Sequence, residues 1–435
     1  MIRDLHPRLR GALLRALPAV FTASTAAAQQ HMHTPAPPSD PLGVSMTRSG
    51  SGTTWTPDAV TLPSKQWMVG DWHLMAHGFA FAEYDKQGGA RGDDQFGSLN
   101  WGMGMAARTI AGGRFTTRLM LSLDPWTVTP RGYPLLLQSG ETYRGEPLHD
   151  RQHPHDFWME AAAMYERPIS KALGIELYAA PSGEPALAPV AFMHRPSAMD
   201  NPMAPLGHHW QDATHVSFGV LTAGLFTHNW KLEASAFNGR EPDEHRWNMD
   251  RMTLDSYSTR ATLNPNANWS FTAGYGYLKS PEAHEPTESI HRFVASALQG
   301  KKLGDEGQWG SALIYGANKK HRLTQSVLLE SEAVLDRSYT VYGRAEAAQK
   351  SAEDLVLPDF DAERLFNVGS VTLGGIGEIG SMWGATLGFG ASGTINVVPK
   401  ALETAYGSRT PLGAWVFLRL RPVFAKVDPM AGMKM

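Results

Sequence analysis

From Trp67 onward, apolar and polar residues alternate along the chain. In WMVGDWHLMAHGFAFAEY one face carries Asp71, His73, Met75, His77, Phe79, Phe81 and Glu83, and the other carries Trp72, Leu74, Ala76, Gly78, Ala80, Ala82 and Tyr84. A period of two over this length predicts a strand between two different environments. Trp72 and Tyr84 stand on the apolar face, about 40 Å apart at ~3.3 Å per residue. A tilt of roughly 45° projects this to about 28 Å, near the apolar thickness of a bilayer. The alternation recurs in RFTTRLMLSLD, WSFTAGYGYLK and WGATLGFGAS, and about sixteen such segments fall between Trp67 and Leu420. An even number is what single-chain bacterial barrels have.

The connections alternate as well. Short ones are AGG at 111–113, THNW at 227–230, NPNAN at 264–268, LDRS at 335–338 and GEIGS at 377–381. Long ones cover roughly 85–94, 125–156, 182–215, 238–255, 280–289, 351–365 and 395–412, with GANKKHR near 316–322 as a short exception. Short turns on one rim and long loops on the other predict an all-β fold. It is a single transmembrane antiparallel barrel with short periplasmic turns and long extracellular loops. A large soluble sandwich or propeller explains the alternation but neither the loop asymmetry nor the aromatic spacing. A TonB-dependent receptor needs about 22 strands and a plug domain, whereas about forty mature residues precede the first strand here.

The ends and the composition fit this picture. Arg3, Arg8, Arg10 and Arg15 precede a short apolar run, and Ala26 and Ala28 form a cleavage pattern, so residues 1–28 read as a signal peptide. Residues 29–66 are polar and Pro-rich and read as a disordered periplasmic leader. The barrel is expected over 67–424, followed by a Met-rich C-terminal tail over 425–435. The chain has no Cys, 43 Gly and 13 Trp, so stability must come from a continuous hydrogen-bonded sheet. A net charge of −3 gives no reason to expect nucleic-acid binding. The partners implied are outer-membrane lipid and the barrel insertion machinery of a Gram-negative bacterium.

GIGEIG and GFGASG match a dinucleotide-binding spacing, but neither opens a helix in a βαβ unit, so both read as strand glycines. The alternation points Arg118, Arg260, Arg344, Arg419 and Arg421 into the lumen together with Glu160, Glu233, Glu330, Glu332 and Glu346. No sign dominates, so the strands predict no strong ion selectivity.

Two loop ends carry the candidate chemistry. RGEPLHDRQHPHDFWME holds His149, His153, His155 and Asp156, and GHHWQDATH holds His208, His209, Asp212 and His215. Both lie where a long loop rejoins the wall, in neighbouring hairpins. Imidazoles beside carboxylates suit a divalent metal such as Cu(II), Zn or Ni. The same groups suit a hydrogen-bonded lock that pins two loops into the pore, because buried polar groups must be satisfied. His73, Met75 and His77 on the first strand form a second metal candidate, although a wet lumen tolerates them without any role. HMH at 31–33 and Met430, Met433 and Met435 are exposed soft donors. No catalytic motif pairs these imidazoles with a nucleophile, so a hydrolase using Ser139 or Ser217 is the weakest reading.

GYPLLLQSGE, DRQHPHD, GHHWQDATH and FNGREPDEHRW together resemble a poorly characterised family of Gram-negative outer-membrane β-barrel proteins, often found beside copper and other heavy-metal resistance systems. The resemblance covers most of the mature chain. It implies an outer-membrane barrel and a link to metal stress, with copper ahead of zinc. The function expected is a channel or transport-related protein with His-rich loops at its mouth. A non-transporting metal-binding or structural barrel is the alternative.

Overall fold

The computed structural model describes residues 40–424 except position 284. The signal peptide, residues 29–39 and the tail from 425 lie outside the described residues. In chain order the strands are β1 (Lys65–Val69), β2 (Trp72–Gln87), β3 (Asp94–Ile110), β4 (Gly113–Leu121), β5 (Tyr133–Tyr143), β6 (Glu146–Gln152), β7 (Trp158–Pro168), β8 (Gly174–Gly183), β9 (Ser217–Phe226) and β10 (Trp230–Phe237). They continue as β11 (Ser256–Asn266), β12 (Trp269–Lys279), β13 (Ser289–Leu303), β14 (Gly307–Lys319), β15 (Leu323–Leu335), β16 (Tyr339–Ser351), β17 (Leu365–Met382), β18 (Ala385–Val397) and β19 (Leu412–Pro422). All but β1, β5 and β6 form the wall, which is a closed ring of sixteen antiparallel strands.

The ring closes where β19 pairs with β2, from Gly413↔Gln87 to Leu420↔Ala80. This leaves the first residues of β2 without a partner on that edge. β1 fills the gap, pairing Lys65↔Ala76 through Val69↔Trp72. Lipid offers no hydrogen bonds, so an open edge there would be costly. Trp67–Val69 is therefore not the start of the first wall strand. The chain reverses at Gly70, whose φ of 57° suits a residue without Cβ.

The wall is apolar outside and polar inside. Leu119, Leu177, Leu232, Leu313 and Leu329 are exposed outward, whereas Arg118, Arg260, Arg344, Arg419 and Glu330 are buried inward. Trp230, Trp269, Trp309 and Tyr339 are exposed at the start of β10, β12, β14 and β16, each just past a short turn, and form an aromatic girdle on that rim. No helix among the described residues is long and apolar enough to cross a membrane; the strands cross it. The protein is a transmembrane barrel of the outer membrane of a Gram-negative bacterium. One short turn lies further on than the sequence pattern suggests. β17 runs through GEIGS with a bulge between Glu378 and Gly380 and turns at residues 383–384.

Two segments fill the lumen. Residues 40–64, expected within a disordered leader, are mostly buried inside the wall. Their backbone has little regular structure, so its carbonyls need outside donors. The wall supplies them: Arg114 donates to Val44 O at 3.0 Å, Arg118 to Gly50 O at 3.0 Å, Asn264 to Thr56 O at 3.0 Å and Ser270 to Trp55 O at 3.1 Å. Composition alone therefore misjudges this stretch.

The second segment, residues 184–216, is buried almost throughout. It runs against wall glycines. A Cβ at Gly274 would lie 2.0 Å from Leu187 O, at Gly310 2.6 Å from Pro196 O, and at Gly316 2.3 Å from Trp210 O. These glycines leave room for the backbone of the loop. The β5–β6 hairpin caps the same space, with Leu136 and Leu137 buried against Leu206, Leu355 and Tyr406.

Candidate functional site

Residues 184–216 end in a single helical turn, His208–Gln211, and a second tight turn, Ala213–His215. The turn brings His208 and His209 within 5.3 Å, centroid to centroid, and His208 and His215 within 5.2 Å. Beyond β6, Pro154 keeps its neighbour His153 extended, and DRQHPHD meets GHHWQDATH. His153 lies 6.2 Å from His208 and 6.0 Å from His209, and His155 lies 5.6 Å from His215. Phe192 packs among His155, His208 and His215.

Carboxylates orient the rings. Asp212 accepts from His208 Nδ1 at 2.7 Å on one oxygen and from Arg195 at 2.7 Å on the other. His155 Nδ1 lies 2.7 Å from Asp124 Oδ2, and His153 Nε2 lies 3.2 Å from Glu141 Oε1. Arg195 also donates to Glu330 on β15 at 2.6 Å, so the cluster is tied to the wall. The Asp212 carboxylate is disfavoured by burial, but Arg195 and His208 outweigh this and hold its pKa below the usual range. Burial lowers the pKa of His153, His208 and His215, the last to about 3. These imidazoles are neutral at pH 7, the form that ligates metals.

His209 differs. Burial works against its charge, but Glu241 outweighs burial and raises its pKa. Its Nδ1 lies 3.2 Å from Glu241 Oε1, while its Nε2 has no partner among the described residues. One ligand atom from each of His209, Glu241 and Glu282 lies within 4.8 Å of the other two. Glu241 Oε2 and Glu282 Oε2 also lack partners among the described residues. His209 and Glu282 border a cavity of about 120 Å³ at the long-loop rim, beside Ser139, Gly140 and Glu141. Gly140, at φ 115°, lets the His209 ring lie on its backbone, since a Cβ there would sit 2.3 Å from the ring.

The other candidate residues are dispersed. His149 pairs with Asp150 at 2.9 Å and touches Arg91. Asp156 accepts from Arg246 at 3.1 Å. His73 meets Gln66 at 3.1 Å beside the β1 seam. Met75 belongs to the apolar layer of the lumen. His77 packs on Trp101 and on His194, each at 5.3 Å. Ser139 Oγ accepts from Lys350 at 2.9 Å, and Ser217 Oγ donates to Thr214 O at 3.2 Å; neither bonds an imidazole among the described residues. HMH and the terminal methionines lie outside the described residues.

Sequence reasoning missed Glu241, Glu282, His194 and Arg195. Glu241 stands in FNGREPDEHRW, where its loop position was visible but its convergence on His209 was not.

No family model matches the chain, nor does any curated protein. Among solved structures it is similar to an anion-selective porin from Comamonas acidovorans (10% identity, TM-score 0.48, covering 80% of this chain and 99% of that one). It is also similar to OmpF of Salmonella typhi (9% identity, TM-score 0.49, covering 82% and 100%). OprB of Pseudomonas putida follows at 12% identity and TM-score 0.46, covering 81% and 94%. Likeness at this level is no guide to a solute.

Proposed function

We propose that this barrel is a channel-type transport protein that handles a divalent metal ion at its extracellular mouth. The observation that carries the reading is the convergence of His209, Glu241 and Glu282 from three separate loops, each with an unpartnered ligand atom. Nitrogen and carboxylate donors suit Cu(II), Zn and Ni, and the family resemblance favours copper. His208 and His153 stand behind His209 as further neutral imidazoles. The lumen is closed in this state, so passage requires residues 184–216 to move.

The test is metal content and conductance of the purified barrel. One equivalent of Cu(II) or Zn at neutral pH, lost in His209→Ala with Glu241→Gln, supports the mouth site. Conductance steps in planar bilayers support a channel. Metal without conductance under any condition favours a non-transporting metal-binding barrel, and neither result leaves only a structural one.

A further inference from the structure

We infer that a second site, for a soft monovalent cation such as Cu(I) or Ag(I), is built inside the lumen from Met120, Met159, Met193, His194 and His215. It uses none of the three ligands of the mouth site, so either site can fail alone. The residues line a small cavity of about 10 Å³, roughly one water-sized sphere. Met120 comes from β4, Met159 from β7, and Met193, His194 and His215 from residues 184–216. Ser51, Gly52, Glu160, Glu184 and Ala191 complete the lining.

Ser51 Oγ and Glu160 Oε1 in the lining are hydrogen-bonded, but not every imidazole nitrogen is. Among the described residues neither ring nitrogen of His194 has a hydrogen-bond partner, and His215 Nε2 has none either. His194 is 2% exposed. An unsatisfied buried nitrogen is costly, and native interiors rarely leave one without a reason. Thioether and imidazole donors without thiolate form a soft neutral set, which favours Cu(I) and its congener over Zn or Mg. Glu184 also lines the cavity; burial pushes its carboxyl up to about 8, and Arg260 lies 3.9 Å from it, so it adds no free negative charge at neutral pH.

The ordinary explanation for buried methionines is that they fill irregular gaps. Their distribution argues against this. The apolar cluster around His194 holds nine methionines and one leucine. The neighbouring buried cluster under the β5–β6 hairpin holds six leucines and no methionine. Generic packing would not sort the two residue types this way. His77, 5.3 Å from His194 and with Nε2 unpartnered, extends the donor set toward β2.

Silver(I) is the probe, because it is redox-stable. The purified full chain is titrated with Ag(I) against a competing chelator, and the silver absorption edge is examined for sulfur neighbours. The paired change Met159→Leu with Met193→Leu conserves volume and keeps the fold. It is expected to remove one equivalent of Ag(I), or to weaken it at least tenfold, while the heat-dependent gel shift of the barrel is unchanged. Ag(I) bound by HMH or the terminal methionines is common to both proteins and cancels in the difference. His209→Ala should leave this equivalent in place. Equal Ag(I) binding by the wild type and the methionine variant overturns the site. So does a wild-type spectrum with only nitrogen and oxygen neighbours, which needs no variant to fold.

Discussion

Replacing Arg195 by methionine should release residues 184–216 without opening the wall. Arg195 is fully buried, and its guanidinium lies 2.7 Å from Asp212 and 2.6 Å from Glu330 and donates to Val190 O at 2.9 Å. Methionine keeps the aliphatic stem and removes the charge, which leaves two buried carboxylates short of a partner. Breaking such a pair costs about 3–5 kcal/mol. Each carboxylate retains something: Glu330 keeps Arg344 at 2.9 Å and Ser197 at 2.9 Å, and Asp212 keeps His208 at 2.7 Å. The cost should therefore fall near the lower end, about 3 kcal/mol, or roughly a 150-fold shift toward the undocked loop. It falls on the loop because both lost ion pairs hold the loop or its end in place, while the β14–β15 and β15–β16 ladders are untouched. Protease cleavage within residues 184–216 should accelerate on the order of a hundredfold where opening is fast relative to cutting, and conductance steps should become more frequent. In the double variant with Asp212→Asn the two effects should not add, since one unpaired charge is gone. A variant that migrates as a folded barrel, yet matches the wild type within twofold in both assays, would refute the reasoning.

Other expectations follow from the same geometry. Acid should release the loops: burial holds His153, His208 and His215 below their ordinary pKa, so their contribution to docking is full above about 6.5 and is lost as pH falls, for His215 toward about 3; at pH 5 His215 alone removes about 2 kcal/mol. Burial raises Glu141 to about 8 and Glu282 to about 7, so their contribution is whole below about 4.5 and is lost above it; net release should therefore appear as protease sensitivity below about pH 4.5, and full protection at pH 4 would contradict it. Gly316→Ala drives a Cβ to 2.3 Å from Trp210 O and should loosen residues 184–216 by about 1–3 kcal/mol, whereas Gly104→Ala meets nothing within 4 Å and should leave cleavage unchanged. Arg118→Met removes the donor to Gly50 O at 3.0 Å and to Gly52 O and should expose residues 40–64 to protease by about 2–3 kcal/mol, with the wall intact; unchanged cleavage there would show that these bonds do not hold the segment.

The wall was legible because one face of every strand meets lipid, which imposes a period of two over ten or more residues. That pattern points Arg118, Arg260, Arg344 and Arg419 inward, and they are buried there. Loop lengths gave the rims for the same reason: turns between antiparallel neighbours need few residues. What was not legible depends on partners distant in sequence. Residues 40–64 carry no periodic pattern, and their order comes from donors on β4, β11 and β12. Trp67–Val69 alternates like a wall strand, and only the early end of β19 explains why it turns back as β1. The joining of DRQHPHD to GHHWQDATH could be reasoned from neighbouring hairpins. Glu241 and Glu282 could not, being single acids in other long loops. His149 and Asp156 share the motif with His153, but nearby arginines take them instead.

The interior is held in two different ways, and this bears on how it could open. The wall keeps its own backbone ladder whether or not the lumen is filled. The filling segments are fastened mainly by wall side chains to their carbonyls and carboxylates, and water entering the lumen could replace many of those partners. The methionine and aromatic layer resists that exchange, because wetting it exposes apolar surface. Opening therefore need not unfold the barrel; it has to hydrate a polar lattice and separate an apolar layer. A cation at His209, Glu241 and Glu282 would bridge the loops 184–216, 238–255 and 280–288, an arrangement that exists only with the loops docked. At a hundred times its dissociation constant such an ion would favour the docked state by about 2.7 kcal/mol. On the reading proposed above, the bound metal closes the mouth, and the ion must leave its three ligands before the loops can separate.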